Sequence, residues 1–121
     1  MDQVLALRPF VPAKDFALSK RFYQAIGFRL TWEEAPVAML KLGSFSFILQ
    51  DFYEPALAEH FMLQLLVRDV ERYWEEIDVA ALMIDFAIKP PQAPAIQPWG
   101  LKVGFLSDPS GVLWHVAEAP F

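Results

Sequence analysis

The chain has 121 residues, of which 55% are hydrophobic and 21% charged, and it contains no cysteine. That composition suits one folded domain with a proper core, and it excludes disulfides, thiolate chemistry and Cys-based zinc sites. The net charge of −5 repels a phosphate backbone, so nucleic acid is not an expected partner. No apolar run approaches the roughly 20 residues of a membrane span. The opening MDQVLALRPF lacks the basic, apolar and cleavage segments of a signal peptide, so no membrane partner and a cytoplasmic location are expected.

In chain order, LALRPFV reads as a short apolar strand ending at Pro12. Asp15 then caps a helix whose face carries Phe16, Phe22, Tyr23 and Ile26 and which Gly27 ends. FRLTWEE, VAMLKLG and SFSFILQDF follow as three strands, rich in β-branched and aromatic residues and punctuated by Pro36 and Gly43. FMLQLLV is the next strand. Asp69 caps VERYWEEI, where Val70, Tyr73, Trp74 and Ile77 fall at helical spacing. ALMIDFAI, a Pro-rich loop KPPQAPAIQPWG, LKVGFLS and VLWHVAE complete the chain, the last strand entered through the turn DPSG.

The two caps, Asp15 and Asp69, each follow an apolar strand and open an aromatic helix, so the chain reads as an internal duplication. An α+β domain spanning residues 1–121 is expected, made of two βαβββ modules, about 1–56 and 57–121. Modules this short cannot bury their apolar faces alone, so they pack together within a chain or across a homodimer.

VPAKDFALSKRFYQAIGF resembles the opening signature of the vicinal oxygen chelate superfamily, an Asp-initiated helix with a Phe-Tyr pair and an Ile-Gly-Phe end. PWGLKVGFLSDPSGVLWHVAE resembles its closing signature, and with LLVRDVERYWEEI the match spans nearly the whole chain. The superfamily includes glyoxalase I, extradiol dioxygenases, fosfomycin-modifying enzymes and the bleomycin resistance proteins. The resemblance implies curved sheets around a cavity, often completed by dimerisation. In the enzymes, four cavity positions hold an octahedral divalent ion that chelates substrate oxygens.

Carried onto this chain by the family spacing, those four positions are Arg8, with Ala6 as the alternative for a longer connection, then Gln50, Met62 and His115. Arg is no ligand, the Gln carbonyl brings no charge, and a Met thioether is too soft for a hard oxygen-chelating ion. One metal reading survives, in which strand alternation brings His60 onto the face of Met62 and joins it to Gln50 and His115. The other readings make His115 a cavity wall residue, or an acid or base without metal.

The reading that follows is a protein without metal or cofactor, similar to the bleomycin resistance proteins, which sequesters a planar or cationic antibiotic-like ligand in an aromatic cavity. It leans away from an enzyme. The alternative is a glyoxalase- or dioxygenase-type enzyme with a degenerate metal site at His60, Gln50 and His115. A third reading is a dimer with a vestigial cavity. Four Trp, three Tyr and eleven Phe supply stacking surface, and Glu33, Glu34 and Asp51 supply negative charge near Trp32 and Tyr53. The expected ligand contacts are Arg8, Trp32, Ile48, Gln50, His60, Met62, Gln64, Trp99, Phe105, Leu113 and His115, with Trp99 in a lid or dimer arm and Arg8 pairing with Asp51 or with a ligand carboxylate.

Overall fold

The computed structural model describes residues 2–121. The first module runs β1 (Phe10–Pro12), α1 (Phe16–Ala25), β2 (Arg29–Glu34), β3 (Val37–Leu42) and β4 (Phe45–Gln50). A one-turn helix α2 (Pro55–Ala58) leads into the second module. That module comprises β5 (Met62–Val67), α3 (Val70–Ile77), α4 (Val79–Phe86), β6 (Gln92–Ile96), β7 (Lys102–Ser107) and β8 (Leu113–Glu118). The sheets have the orders β1-β4-β3-β2 and β5-β8-β7-β6, the same topology twice. In each, the outer pair β1/β4 or β5/β8 is parallel and the remaining pairs are antiparallel. Two βαβββ units are therefore present, as the duplicated caps predict.

Both helix starts rest on the expected aspartates. The Asp15 carboxylate accepts from Leu18 N at 3.0 Å, and that of Asp69 from Arg72 N at 3.1 Å, each satisfying a backbone donor that the first helical turn leaves orphaned. Two expectations fail. ALMIDFAI, which the second βαβββ module required as a strand, lies instead in α4 as far as Phe86, because Asp78 turns left-handed (φ 53°), ends α3 and caps the next helix by accepting from Ala81 N at 3.2 Å. Ala, Leu and Met then carry the helix on intrinsic propensity. The missing strand, β6, lies inside the Pro-rich segment expected to be a loop. It is an edge strand with an irregular register around Pro94, where a residue without an N–H is tolerated. The first strand is also shorter than LALRPFV; only Phe10–Pro12 pairs.

Each sheet buries one face under helices. In the first module Ala38, Leu40, Phe47 and Leu49 meet Phe22 and Tyr23 of α1 in the buried core. In the second, Gly104 lies under the ring of Trp74, close enough that a Cβ there would stand 2.7 Å from it. Burial of each large side chain stabilises by roughly 1.5–3 kcal/mol. Phe22 and Phe86 touch edge to face with centroids 5.5 Å apart, joining α1 to α4 across the module boundary. No helix among the described residues is long and apolar enough to cross a membrane.

A second joint is polar and buried. The Tyr23 hydroxyl donates to Asp108 Oδ2 at 2.5 Å and accepts from Trp114 Nε1 at 3.0 Å. Asp108 Oδ1 accepts from Ser110 N and Val112 N at 2.8 and 2.9 Å. Every buried side-chain polar atom among the described residues has a partner. DPSG is thus more than a turn between strands: it is where the second module grips the first module's helix.

Candidate functional site on the open sheet faces

The unburied faces of the two sheets carry most of the residues singled out from the sequence, because period-two alternation fixes their side once the helix side is known. In the first sheet, with Leu40, Phe47 and Leu49 against α1, the opposite face is ordered by register into rows. Phe10 lies opposite Ile48, Ile48 opposite Met39, and Met39 opposite Trp32. Next to this row stand Pro12, Gln50, Val37 and Glu34. Trp32 is 46% exposed and half of Phe10 is open. In the second sheet, Met62 pairs with Leu113, and Gln64 with His115, which pairs in turn with Phe105. The Phe105 and His115 rings meet edge to face at 4.8 Å.

Ile48, Gln50 and Trp32 therefore share one open face, and Met62, Gln64, Phe105, Leu113 and His115 share the other. Arg8 precedes β1 on the surface, where its Nε donates to Ser46 Oγ at 2.7 Å. It is neither buried nor paired with Asp51, which corrects the expected ion pair; Ser46 is the nearer polar group on the same sheet face. Trp99 lies in the β6–β7 connection, 57% exposed, in a turn closed by Gly100 N donating to Gln97 O at 2.8 Å. His60 is not on a strand face. It ends the turn after α2, with Nδ1 3.0 Å from Ala56 O, so alternation from Met62 does not reach it.

Two assignments around the acidic residues also change. Glu33 points to the helix side, where Lys20 Nζ lies 2.8 Å from its carboxylate, and only Glu34 remains on the face of Trp32. Tyr53 has Lys14 Nζ 5.4 Å from its ring centre, so its face is engaged by a side chain of the protein. Phe10, Met39, Ser46, Lys41 and Arg29 are open-face residues that the sequence reading did not select. The alternation in VAMLKLG held the signal for Met39 and Lys41, which the sequence reading did not use; Phe10 and Arg29 needed the pairing register.

The residues at the four positions that the family spacing marks do not fit a hard divalent ion. Phe10 and Gln64 each precede their helix cap by the same interval, and their strand partners are Ile48 and His115. The residue equivalent to His115 in the first module is therefore Ile48, an alkyl group, rather than Gln50. Arg8, Met62 and Ile48 supply no hard oxygen or nitrogen ligand. Among the described residues no three His, Asp or Glu side chains are grouped to hold a metal.

A cleft of about 300 Å³ opens between the two sheets, walled by Phe28, Phe45, Phe47, Leu63, Leu66 and Trp114. Of the residues selected from sequence, Gln64 alone reaches it. The cleft is apolar, and Pro9, at the base of the extended segment 2–9, stands at its edge.

Known proteins with this arrangement were found by sequence and by structure. A bleomycin resistance protein of Klebsiella pneumoniae is 28% identical over 114 residues, covering 91% of this chain and 89% of that protein. A bleomycin-binding protein of Streptomyces verticillus, solved with copper(II)-bleomycin, superposes with a TM-score of 0.80 at 19% identity, covering 98% of this chain and 99% of that one. A bleomycin-binding protein solved with bleomycin gives 0.78 at 23% identity, covering 94% and 98%. Residues 2–116 match the sequence profile of the Glyoxalase/Bleomycin resistance protein/Dioxygenase superfamily. On that match, and with both βαβββ modules in place, the chain belongs to this superfamily.

Proposed function

We propose that the protein binds and sequesters a planar, antibiotic-like small molecule of the bleomycin type, on the open sheet faces and without chemistry of its own. The observation that carries this reading is the row Phe10–Ile48–Met39–Trp32, a flat apolar strip flanked by two exposed aromatic rings. Such a strip favours the stacking of planar heterocycles. Glu34, on the same face beyond Trp32, favours a cationic group next to the stacked ring. The similarity to bleomycin resistance and bleomycin-binding proteins over nearly the full chain supports the ligand class. The donor set at Arg8, Ile48, Met62 and His115 speaks for binding over metal-assisted catalysis.

A homodimer suits this reading. Val4, Leu5 and Leu7 project from the extended segment before β1, the last two more than nine-tenths exposed. Together with the apolar cleft beside Pro9 they offer a second copy a large apolar surface, of a kind that monomers rarely leave open. In such a dimer Trp99, exposed at the β6–β7 turn, is placed to close over a ligand at the cavity mouth.

Sequestration has a direct assay. With purified protein in molar excess over bleomycin, iron-dependent cleavage of a DNA duplex by the drug should be suppressed, with a break at the protein's binding stoichiometry. Undiminished cleavage at all protein concentrations would overturn the reading.

A further inference from the structure

The open face of the first sheet carries a third row, beside the apolar strip and on the side away from Glu34. Ser46 of β4 lies opposite Lys41 of β3, and Lys41 opposite Arg29 of β2. At the other end of this row the Arg8 guanidinium donates to Ser46 Oγ at 2.7 Å. Three cations and a hydroxyl thus run in one line across the sheet. Lys41 and Arg29 share the open face because Leu40, between Lys41 and Met39, is fully buried on the helix side.

This line is unneutralised. The ion pairs among the described residues are Lys20–Glu33, Arg72–Glu76 and Lys102–Glu71, and none includes Arg8, Lys41 or Arg29. Glu34, the acidic residue on the same face, stands at the far end of β2, roughly 13 Å away along the strand and beyond the screening length of physiological salt, about 8 Å. The open face of the second sheet has no Asp or Glu at any position of β5, β7 or β8, so a second copy that presented that face would not neutralise the row. Like charges directly opposite on neighbouring strands are destabilising. In a chain of net charge −5, three cations have been collected at a cost to the fold.

We infer that the row Arg8–Ser46–Lys41–Arg29 is an anion subsite, and that the ligand carries a sulfonate, phosphate or carboxylate group beside its planar part. Adjacent rows on one face are two residues apart, about 7 Å along the strand, which sets the spacing between the anionic group and the stacked ring. Two guanidinium forks and an ammonium, with a hydroxyl donor already oriented by Arg8, match the oxygens of such a group. With Glu34 at the opposite end, the face has a cationic pole, an apolar middle and an acidic pole, and it selects an amphoteric ligand. This inference rests on the reading that the open sheet faces hold the ligand, and it extends that reading from a planar cation to a molecule with both charges.

The test uses two probes with one ring system, naphthalene-1-sulfonate and 1-naphthylmethylammonium, titrated calorimetrically into the full-length protein and into the double variant Arg29→Gln/Lys41→Gln. The expected result is at least tenfold tighter binding of the sulfonate by the wild type, with that preference lost in the variant. The variant removes a like-charge pair at the surface, so its thermal midpoint should equal or exceed that of the wild type, which separates lost binding from lost folding. Ser46→Ala, which keeps all three cations, should weaken the sulfonate by a smaller factor. Equal binding of the two probes, preference for the ammonium, no binding of either, or an unchanged sulfonate affinity in the double variant would each overturn the inference. Bleomycin titrated in parallel keeps the two claims apart. Bleomycin bound with no sulfonate preference removes the anion subsite alone, and sulfonate preference without bleomycin binding removes the drug assignment alone.

Discussion

The hydroxyl of Tyr23 and the carboxylate of Asp108 meet at 2.5 Å, one from the first module's helix and the other from the second module's last turn. Both groups are buried, and burial shifts both. It drives the Tyr23 phenol well above its ordinary value, with Asp108 adding to the shift. It raises the Asp108 carboxyl from 3.8 to about 6, against the opposing effect of the hydrogen bonds from Tyr23, Val112, Ser110 and Gly111. Desolvation outweighs four stabilising donors because the charged form has lost its water.

A pH dependence of stability follows. A carboxyl whose folded pKa lies above its unfolded one binds its proton more tightly in the folded state. Its contribution is fully present below about pH 4 and is lost as the pH rises through about 6. The raised value corresponds to roughly 3 kcal/mol at most across that window. Urea unfolding at pH 5 and at pH 7.5 should show the wild type gaining stability toward pH 5 relative to Asp108→Asn. Parallel pH profiles for the two proteins would contradict this assignment of the buried charge.

Gly104 is required for space rather than for backbone freedom. A Cβ added there would stand 2.7 Å from the Trp74 ring, and an indole packed against the core has little room to retreat. Gly104→Ala should cost about 1–3 kcal/mol by overpacking, read as a lower denaturation midpoint. A midpoint equal to the wild type's would mean that α3 is not seated on β7 as described.

The Tyr73 hydroxyl donates to Ile26 O at 2.7 Å, tying α3 to the carbonyl end of α1. Tyr73→Phe removes one neutral hydrogen bond and leaves the ring in place, so a loss of about 0.5–1.5 kcal/mol is expected. The phenol itself is pushed up to about 12, by burial and then by Glu76, so in alkaline spectrophotometric titration it should ionise well above the ordinary tyrosine value of about 10.

The duplication was readable in the sequence because its markers are local. Asp15 and Asp69 cap helices by reaching three residues ahead, and the same-strand neighbours of Ile48 and His115 on the open faces, Gln50 and Leu113, follow from alternation alone. What escaped the sequence lay in signals that locality does not contain. α4 is apolar at every position but Asp85, so it carries little helical period, and β6 is an edge strand whose prolines read as a loop. Alternation extended back before the start of β5 put His60 on a face, but there the chain is still in the turn after α2. The ion pair of Glu33 with Lys20, the hydrogen bond of Arg8 to Ser46 and the stacked row of Arg29 on Lys41 all depend on strand register. A shift of one residue in that register would reverse each of them.

The central claim is that the ligand lies against the apolar strip ending in Trp32. Calorimetric titration of bleomycin into the wild type and into Trp32→Ala tests it most directly, since Trp32 is nearly half exposed and its removal leaves the core intact. The account predicts saturable binding by the wild type and at least a tenfold loss in the variant, about 1.4 kcal/mol, with an unchanged thermal midpoint. Bleomycin bound equally by both proteins, or by neither, would contradict it.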